Sequence, residues 1–179
     1  TTGWPTLARR ANGQLILVWS GGREAHVCPF GRVDVMTSTD EGTTWSWPRT
    51  LLDSDTDDRD AGVLETAAGT LLVTTFTSRA WEDVFDRARD WDPERTQRWQ
   101  AVRRRLPDDA RRAELGTWMI RSTDGGLSWS PRYRVPVDAP HGPVQLNDGR
   151  LLYAGVALWE TPRRVGVAES RDDGQTWEW

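Results

Sequence analysis

One eight-residue pattern, S-x-D-x-G-x-[ST]-W, occurs three times in the chain and limits its architecture more than any other feature. The copies are Ser38–Trp45, Ser122–Trp129 and Ser170–Trp177. The first interval between copies is the wider one, and with residues 80–115, which differ in character, set aside, it equals the second. An aspartate in a tight strand–strand turn accepts hydrogen bonds from the turn's own N–H groups. A glycine supplies the left-handed residue, and a tryptophan closes the turn by packing back between sheets. Asp40, Gly42, Trp45, Asp124, Gly126, Trp129, Asp172, Gly174 and Trp177 are therefore expected to be structural.

Other signals recur in phase with the box. Gly13-Gln14-Leu15, Gly69-Thr70-Leu71 and Gly149-Arg150-Leu151 each lead into an apolar run and follow turn residues. Glycine adopts positive φ in such hairpins without steric cost. Short strand-like segments precede these turns at 5–8, 61–65 and 143–146. Third strands are expected before each box at 32–36, 117–121 and 165–169, and fourth strands after it at 49–53 and 133–137. Four antiparallel strands per repeat imply an all-β chain built as a β-propeller. The blades are expected at about 4–54, 57–138 and 141–179, the second interrupted by a helical insertion at 80–115 and the third incomplete. Three blades do not close a ring, so the 179 residues read as about half of a larger domain, and the absent initial Met points the same way. Localisation is left open by a sequence that begins without a leader.

The insertion carries Trp81, Val84, Phe85, Ala88 and Trp91 at helical spacing, and then Asp92-Pro93-Glu94 as a helix start. Trp99, Val102 and Leu106 form the inner face of a second helix, and Pro107-Asp108-Asp109 opens a third turn. Over positions 79–115, ten arginines are balanced by nine acids, as on a solvated helix surface. With a net charge of −4 and no apolar run near the ~20 residues of a membrane span, neither nucleic acid nor membrane is an expected partner. All 23 basic residues are arginine. The single cysteine, Cys28, makes no internal disulfide and reads as a small buried hydrophobe. No His/Cys spacing suggests a metal, and no cofactor motif is present.

By the repeat phasing, three polar segments share one rim, opposite the boxes: Arg23-Glu24-Ala25-His26, Asp57-Asp58-Arg59-Asp60, and His141 before the third inner strand. Each also has a plain structural reading, as self-paired surface ions or a strand-end cap.

Taken together, the three boxes, their period and the flanking G-x-L strands resemble the BNR-repeat (Asp-box) sialidase superfamily, which is built on a six-bladed propeller. The resemblance covers the whole chain apart from the insertion and implies a sialidase-like, exo-acting glycoside hydrolase with an acidic or related sugar as substrate. The family's sialidases hold the substrate carboxylate with three arginines, the first in a Phe/Tyr-Arg-Ile-Pro segment. Here that segment is Thr2-Gly3-Trp4-Pro5, with Gly3 in the arginine position. The loop matching the family's acid/base aspartate is 21–32, where Glu24 and His26 are the candidates. Asp60-Ala61-Gly62-Val63 resembles the second-blade aspartate motif, and Pro140-His141-Gly142-Pro143-Val144-Gln145-Leu146 the family's Gly-His-Gly-Ile-Gln-Leu opening. The catalytic candidates are thus Glu24, His26 and Asp60, and the substrate-binding candidates Arg23, Arg32, Asp58, Arg59 and His141, none of the arginines standing at the family's first-arginine position. The family's remaining arginines, nucleophilic Tyr and Glu partner belong to later blades, outside these residues. The alternative reading is a non-catalytic propeller that binds glycan or protein on the same rim.

Overall fold

The structure is a computed structural model, and residues 2–179 are described. Three antiparallel meanders follow one another along the chain. The first sheet runs β1 (Gly3–Arg9), β2 (Leu15–Gly21), β3 (Arg32–Ser38) and β4 (Arg49–Leu52). The second runs β5 (Asp57–Glu65), β6 (Leu71–Ser78), β7 (Thr117–Ser122) and β8 (Tyr133–Arg134). The third contains β9 (Val144–Gln145), β10 (Leu151–Val156) and β11 (Val165–Ser170). Strand order equals chain order throughout, each strand pairing antiparallel with its predecessor in the chain.

Sheets pack face to face, so the middle one is buried on both sides and its second strand reads Leu-Leu-Val-Thr-Thr-Phe-Thr-Ser, with no solvent face. Ile16, Val18, Val33 and Val35 meet Ala61, Val63, Leu71, Val73 and Ile120 between the first and second sheets. Leu72, Met119, Val135 and Val137 meet Leu151, Tyr153 and Ala168 between the second and third. The alternation of Leu71 and Leu72 into different cores is the period-2 geometry of a strand.

In each eight-residue turn the aspartate collects donors from the turn itself. Asp40 accepts from the Thr44 N–H at 2.8 Å and hydroxyl at 2.6 Å, and from the Ser38 hydroxyl at 2.8 Å. Asp124 and Asp172 repeat the pattern with Ser122 and Ser128, and with Ser170 and Thr176. The glycines at 42, 126 and 174 have φ of 84°, 89° and 80°. Trp45 and Trp177 donate to the carbonyls of Gly42 and Gly174 at 3.0 and 3.2 Å. After each tryptophan the chain bonds back to the third strand, at Ser46–Thr37, Ser130–Arg121 and Glu178–Glu169.

The insertion between β6 and β7 folds as α1 (Ala80–Asp86), α2 (Pro93–Arg105) and α3 (Asp108–Ala113). The stripe expected to reach Trp91 on one helix is cut short. The chain leaves α1 at Asp86, Val84 is exposed, and Asp90 takes φ 58° before Asp92 caps α2 through the Arg95 N–H at 2.8 Å. Trp81, Trp99 and Val102 are buried, and together with Cys28 they form a core of their own against the β2–β3 loop at 22–31. Cys28 is a buried free thiol inside that core. Among the described residues no helix is long and apolar enough to cross a membrane.

Candidate functional site

The first strands of the three sheets, β1, β5 and β9, start near one another, and each has a left-handed residue at or near its start. Trp4, Asp60 and His141 have φ of 54°, 50° and 76°, three of the six left-handed non-glycine residues among those described. Strained residues persist where surrounding structure over-determines them, and such positions cluster at functional sites. In β1 the strain accompanies a register shift between Gly3 and Thr6, and in β5 one between Arg59 and Gly62. The Thr6 hydroxyl ties the strands together: it lies 2.8 Å from the Ala61 carbonyl of β5 and 2.8 Å from His141 Nδ1. Gly62 lets the backbone of 141–142 approach β5 directly.

Beneath these strand ends is a buried ionic cluster. Arg23 reaches across from the first sheet, with Nη1 at 2.7 Å and Nη2 at 2.9 Å from the two carboxylate oxygens of Asp57. It also donates to the Ser20 hydroxyl and to the carbonyls of His26 and Asp58. Arg59 lies on the same side of β5, 3.6 Å from Asp57 and 3.5 Å from His26 Nε2, with its guanidinium over the rings of Trp4 and Phe76. His26 meets Trp4 edge-on at 5.0 Å. Segment 57–60, expected as a loop ahead of the strand, is therefore the start of β5 itself and is largely buried. Its charges go inside because Arg23, contributed by the preceding sheet, is there to pair with them.

Several candidates turn out to be committed elsewhere. Arg23 is almost wholly buried, and both of its terminal nitrogens are held by protein acceptors, so it acts as a strut between sheets. Glu24 points to the insertion, where Arg98 Nε donates at 2.9 Å and Trp99 Nε1 at 3.1 Å, with Arg95 at 3.6 Å. Burial raises its pKa, but the Trp99 and Arg98 hydrogen bonds and the two guanidinium charges outweigh this and hold the carboxyl below its ordinary value. An acid so held is a poor proton donor near neutrality. Arg32 pairs with Asp34 at 3.0 Å on β3 and does not join the cluster. Asp58 alternates away from Asp57 and accepts from the Ser54 N–H at 2.7 Å and hydroxyl at 3.0 Å.

Asp60 and Asp138 remain. Both line an open cleft of about 660 Å³, walled by Phe76 and Ser78 of β6, by Arg79 and Glu82 of the insertion, and by Leu158, Trp159 and Arg163 of the β10–β11 loop. Each has a buried carboxylate oxygen, Oδ1, with no hydrogen-bond partner. Asp138 is 8% exposed, and burial, reinforced by the negative charge of Asp60, pushes its pKa up to about 7. Asp138 is not among the sequence candidates. The available signal is its place in the repeat, just ahead of an inner strand, where segment 57–60 stands in the second sheet. Among the described residues no group of three or more His, Cys, Asp or Glu side chains is placed to hold a metal ion.

These carboxyls make folding pH-dependent. Burial pushes Asp57 up to about 6 and Asp58 up to about 7, against the counter-pull of Arg23 and Ser54 respectively. A carboxyl whose folded pKa exceeds its unfolded value stabilises the fold while it is protonated, and that stabilisation is lost as pH rises through the folded value. The box carboxylates act oppositely: Asp40, held at about 2 chiefly by Thr44, costs stability only on descent through the ordinary carboxylate range. The melting temperature is therefore expected to be several degrees higher near pH 5 than near pH 8. Thermal denaturation across that range checks this, and Asp138→Asn should flatten part of the slope.

No protein-family model and no curated protein matches the sequence. Solved structures do match by shape. A Hadza microbial sialidase superposes with a TM-score of 0.69 at 20% identity, over 98% of this chain and 36% of its own. A protein of unknown function from Dyadobacter fermentans gives 0.66 at 20% identity, over 99% and 53%. The NanB sialidase from Streptococcus pneumoniae gives 0.64 at 11% identity, over 99% and 43%. The chain thus has a sialidase-like fold and spans between about a third and about half the length of these proteins. At such identities the likeness is one of fold alone.

Proposed function

We propose that the three sheets are successive blades of a sialidase-type propeller and that the cleft of Asp60 and Asp138 is part of a glycoside hydrolase active site. The observation that carries this reading is the Asp138 carboxyl: buried, short of one hydrogen-bond partner, and set beside a second carboxyl at the strained inner-strand ends. Glycosidic cleavage needs a carboxylic acid that is still protonated near neutrality to donate to the leaving oxygen as the C–O bond breaks. Asp138, with its pKa pushed up to about 7, meets that requirement. Burial, reinforced by the neighbouring charge of Asp60, keeps the proton on Asp138, and Asp60 accepts a sugar hydroxyl. His26 and Arg59 pack against Trp4, Arg59 also lies over Phe76 of the cleft wall, and His141 is positioned by Thr6.

The test is single replacement, Asp138→Asn and Asp60→Asn, in the intact protein that carries this chain, assayed against a panel of aryl glycosides. Turnover is expected to fall by about a hundredfold or more for Asp138→Asn. In the unsubstituted protein activity should decline as pH rises through about 7, where the acid loses its proton. Unchanged turnover in both variants would refute the assignment. Saturable sugar binding with no hydrolysis of any glycoside would favour a binding propeller instead.

A further inference from the structure

Trp159 sits on the wall of the Asp60–Asp138 cleft, in the loop between β10 and β11. The loop is closed at its base by the Ala157 N–H to Arg164 carbonyl bond at 2.8 Å, and braced by the Glu160–Arg164 ion pair. Trp159 is 44% exposed. Trp118 is roofed by Arg132 and Arg134 at 4.2 and 4.4 Å, and Trp179 by Arg164 at 4.5 Å, while Trp47, the most exposed tryptophan, is unroofed but lines no cleft with a carboxyl group among the described residues. Among the described residues, the indole of Trp159 has neither an aromatic ring nor a cation against it. An unroofed indole in the same cleft wall as two carboxyl groups is a combination of apolar face and hydrogen-bond acceptors.

The charges around the cleft decide what fits it. Arg79 is bound to Glu82 and Asp108, and Arg112 to Asp108. Arg23 and Arg59 are turned to Asp57. Arg163 is exposed at the rim, where solvent screens it. The carboxyl groups of Asp60 and Asp138 in the cleft wall call for hydroxyl donors, and their proximity opposes a ligand carboxylate. We propose that Trp159 is the stacking platform of a subsite for a neutral pyranosyl unit, whose apolar face lies on the indole while its hydroxyls donate to Asp60 and Asp138. This rests on the reading of the cleft as a carbohydrate site and narrows it to uncharged sugars.

The experiment titrates the intact protein with methyl glycosides of galactose, glucose and mannose, and separately with the methyl glycoside of N-acetylneuraminic acid, by ligand-observed NMR. At least one neutral glycoside is expected to bind more tightly than the sialoside. Trp159→Ala should weaken that binding by about tenfold while Trp159→Phe keeps most of it. Tighter binding of the sialoside, undiminished binding by Trp159→Ala, or no binding of any neutral glycoside would overturn the subsite. The two readings separate cleanly. Binding through Trp159 without hydrolysis leaves the subsite standing and defeats the catalytic assignment. Hydrolysis that needs Asp138 but ignores Trp159 does the reverse.

Discussion

Arg23→Ala is expected to cost about 3–5 kcal/mol of folding free energy, the range found when one partner of a buried ion pair is removed. The loss arises because Asp57 stays behind: its side chain is fully buried, and its compensating charge and shortest polar contacts come from Arg23. Arg59, at 3.6 Å, is too distant to take over both oxygens. The same truncation leaves the His26 carbonyl without its Arg23 donor and the Asp58 carbonyl with the Ser20 hydroxyl, at 2.9 Å, in place of two side-chain donors. Arg23→Lys should recover only part of the stability, since an ammonium offers no planar fork to a carboxylate. The Arg23→Ala/Asp57→Ala double variant should lose much less than the two single losses added together. Arg9→Ala serves as the comparison: both partners of its pair with Glu41 are more than half exposed, and its removal should leave stability nearly unchanged. Urea denaturation of the variants measures all of these. A loss below about 1 kcal/mol for Arg23→Ala would show that the cluster is held by something other than this pair.

That cluster marks the limit of what hydropathy alone conveys. The eight-residue turns and G-x-L hairpins are local, so strand order and the sheet succession are legible from spacing. Strands β2, β6 and β10 begin at the Leu after each such glycine turn. The beginning of β5 is not legible. Asp57-Asp58-Arg59-Asp60 has the composition of a solvated turn, and only pairing with an arginine of the preceding sheet turns it into buried strand. Glu24 illustrates the same point from the other side. Its loop lies on the expected rim, but the insertion supplies Arg98 and Trp99, and the carboxylate is spent on holding α2 in place. Asp138 escapes notice in the sequence because it stands between Val137 and Ala139-Pro140 and resembles an ordinary loop acid. Its chemistry comes from burial beside Asp60, which is a property of two sheets meeting.

Gly62→Ala tests that meeting directly and is expected to cost about 3 kcal/mol or more, at the upper end of overpacking losses. A Cβ at this position would lie 2.4 Å from the Gly142 nitrogen and 2.5 Å from the His141 carbonyl carbon. Both are backbone atoms, so no side-chain rotation relieves the contact, and the Thr74 hydroxyl at 2.5 Å closes the third direction. The inner strand of the second sheet must therefore move away from segment 139–142. Movement there breaks the Thr6 bridge between the Ala61 carbonyl and His141, and it exposes Asp138 and separates it from Asp60, so that burial and the Asp60 charge no longer raise the Asp138 pKa. Gly3→Ala provides the matched control: an added methyl there meets nothing within 4 Å and the residue is not left-handed, so the melting temperature should be unchanged. Gly69→Ala falls between them, with open space but a φ of 83°, and should cost roughly 1–2 kcal/mol. If Gly62→Ala melts with Gly3→Ala, the inner strands are not in backbone contact. If it melts far lower and, below its melting temperature, also loses the activity that depends on Asp138, the close approach at Gly62 is what sets the two carboxyls against each other.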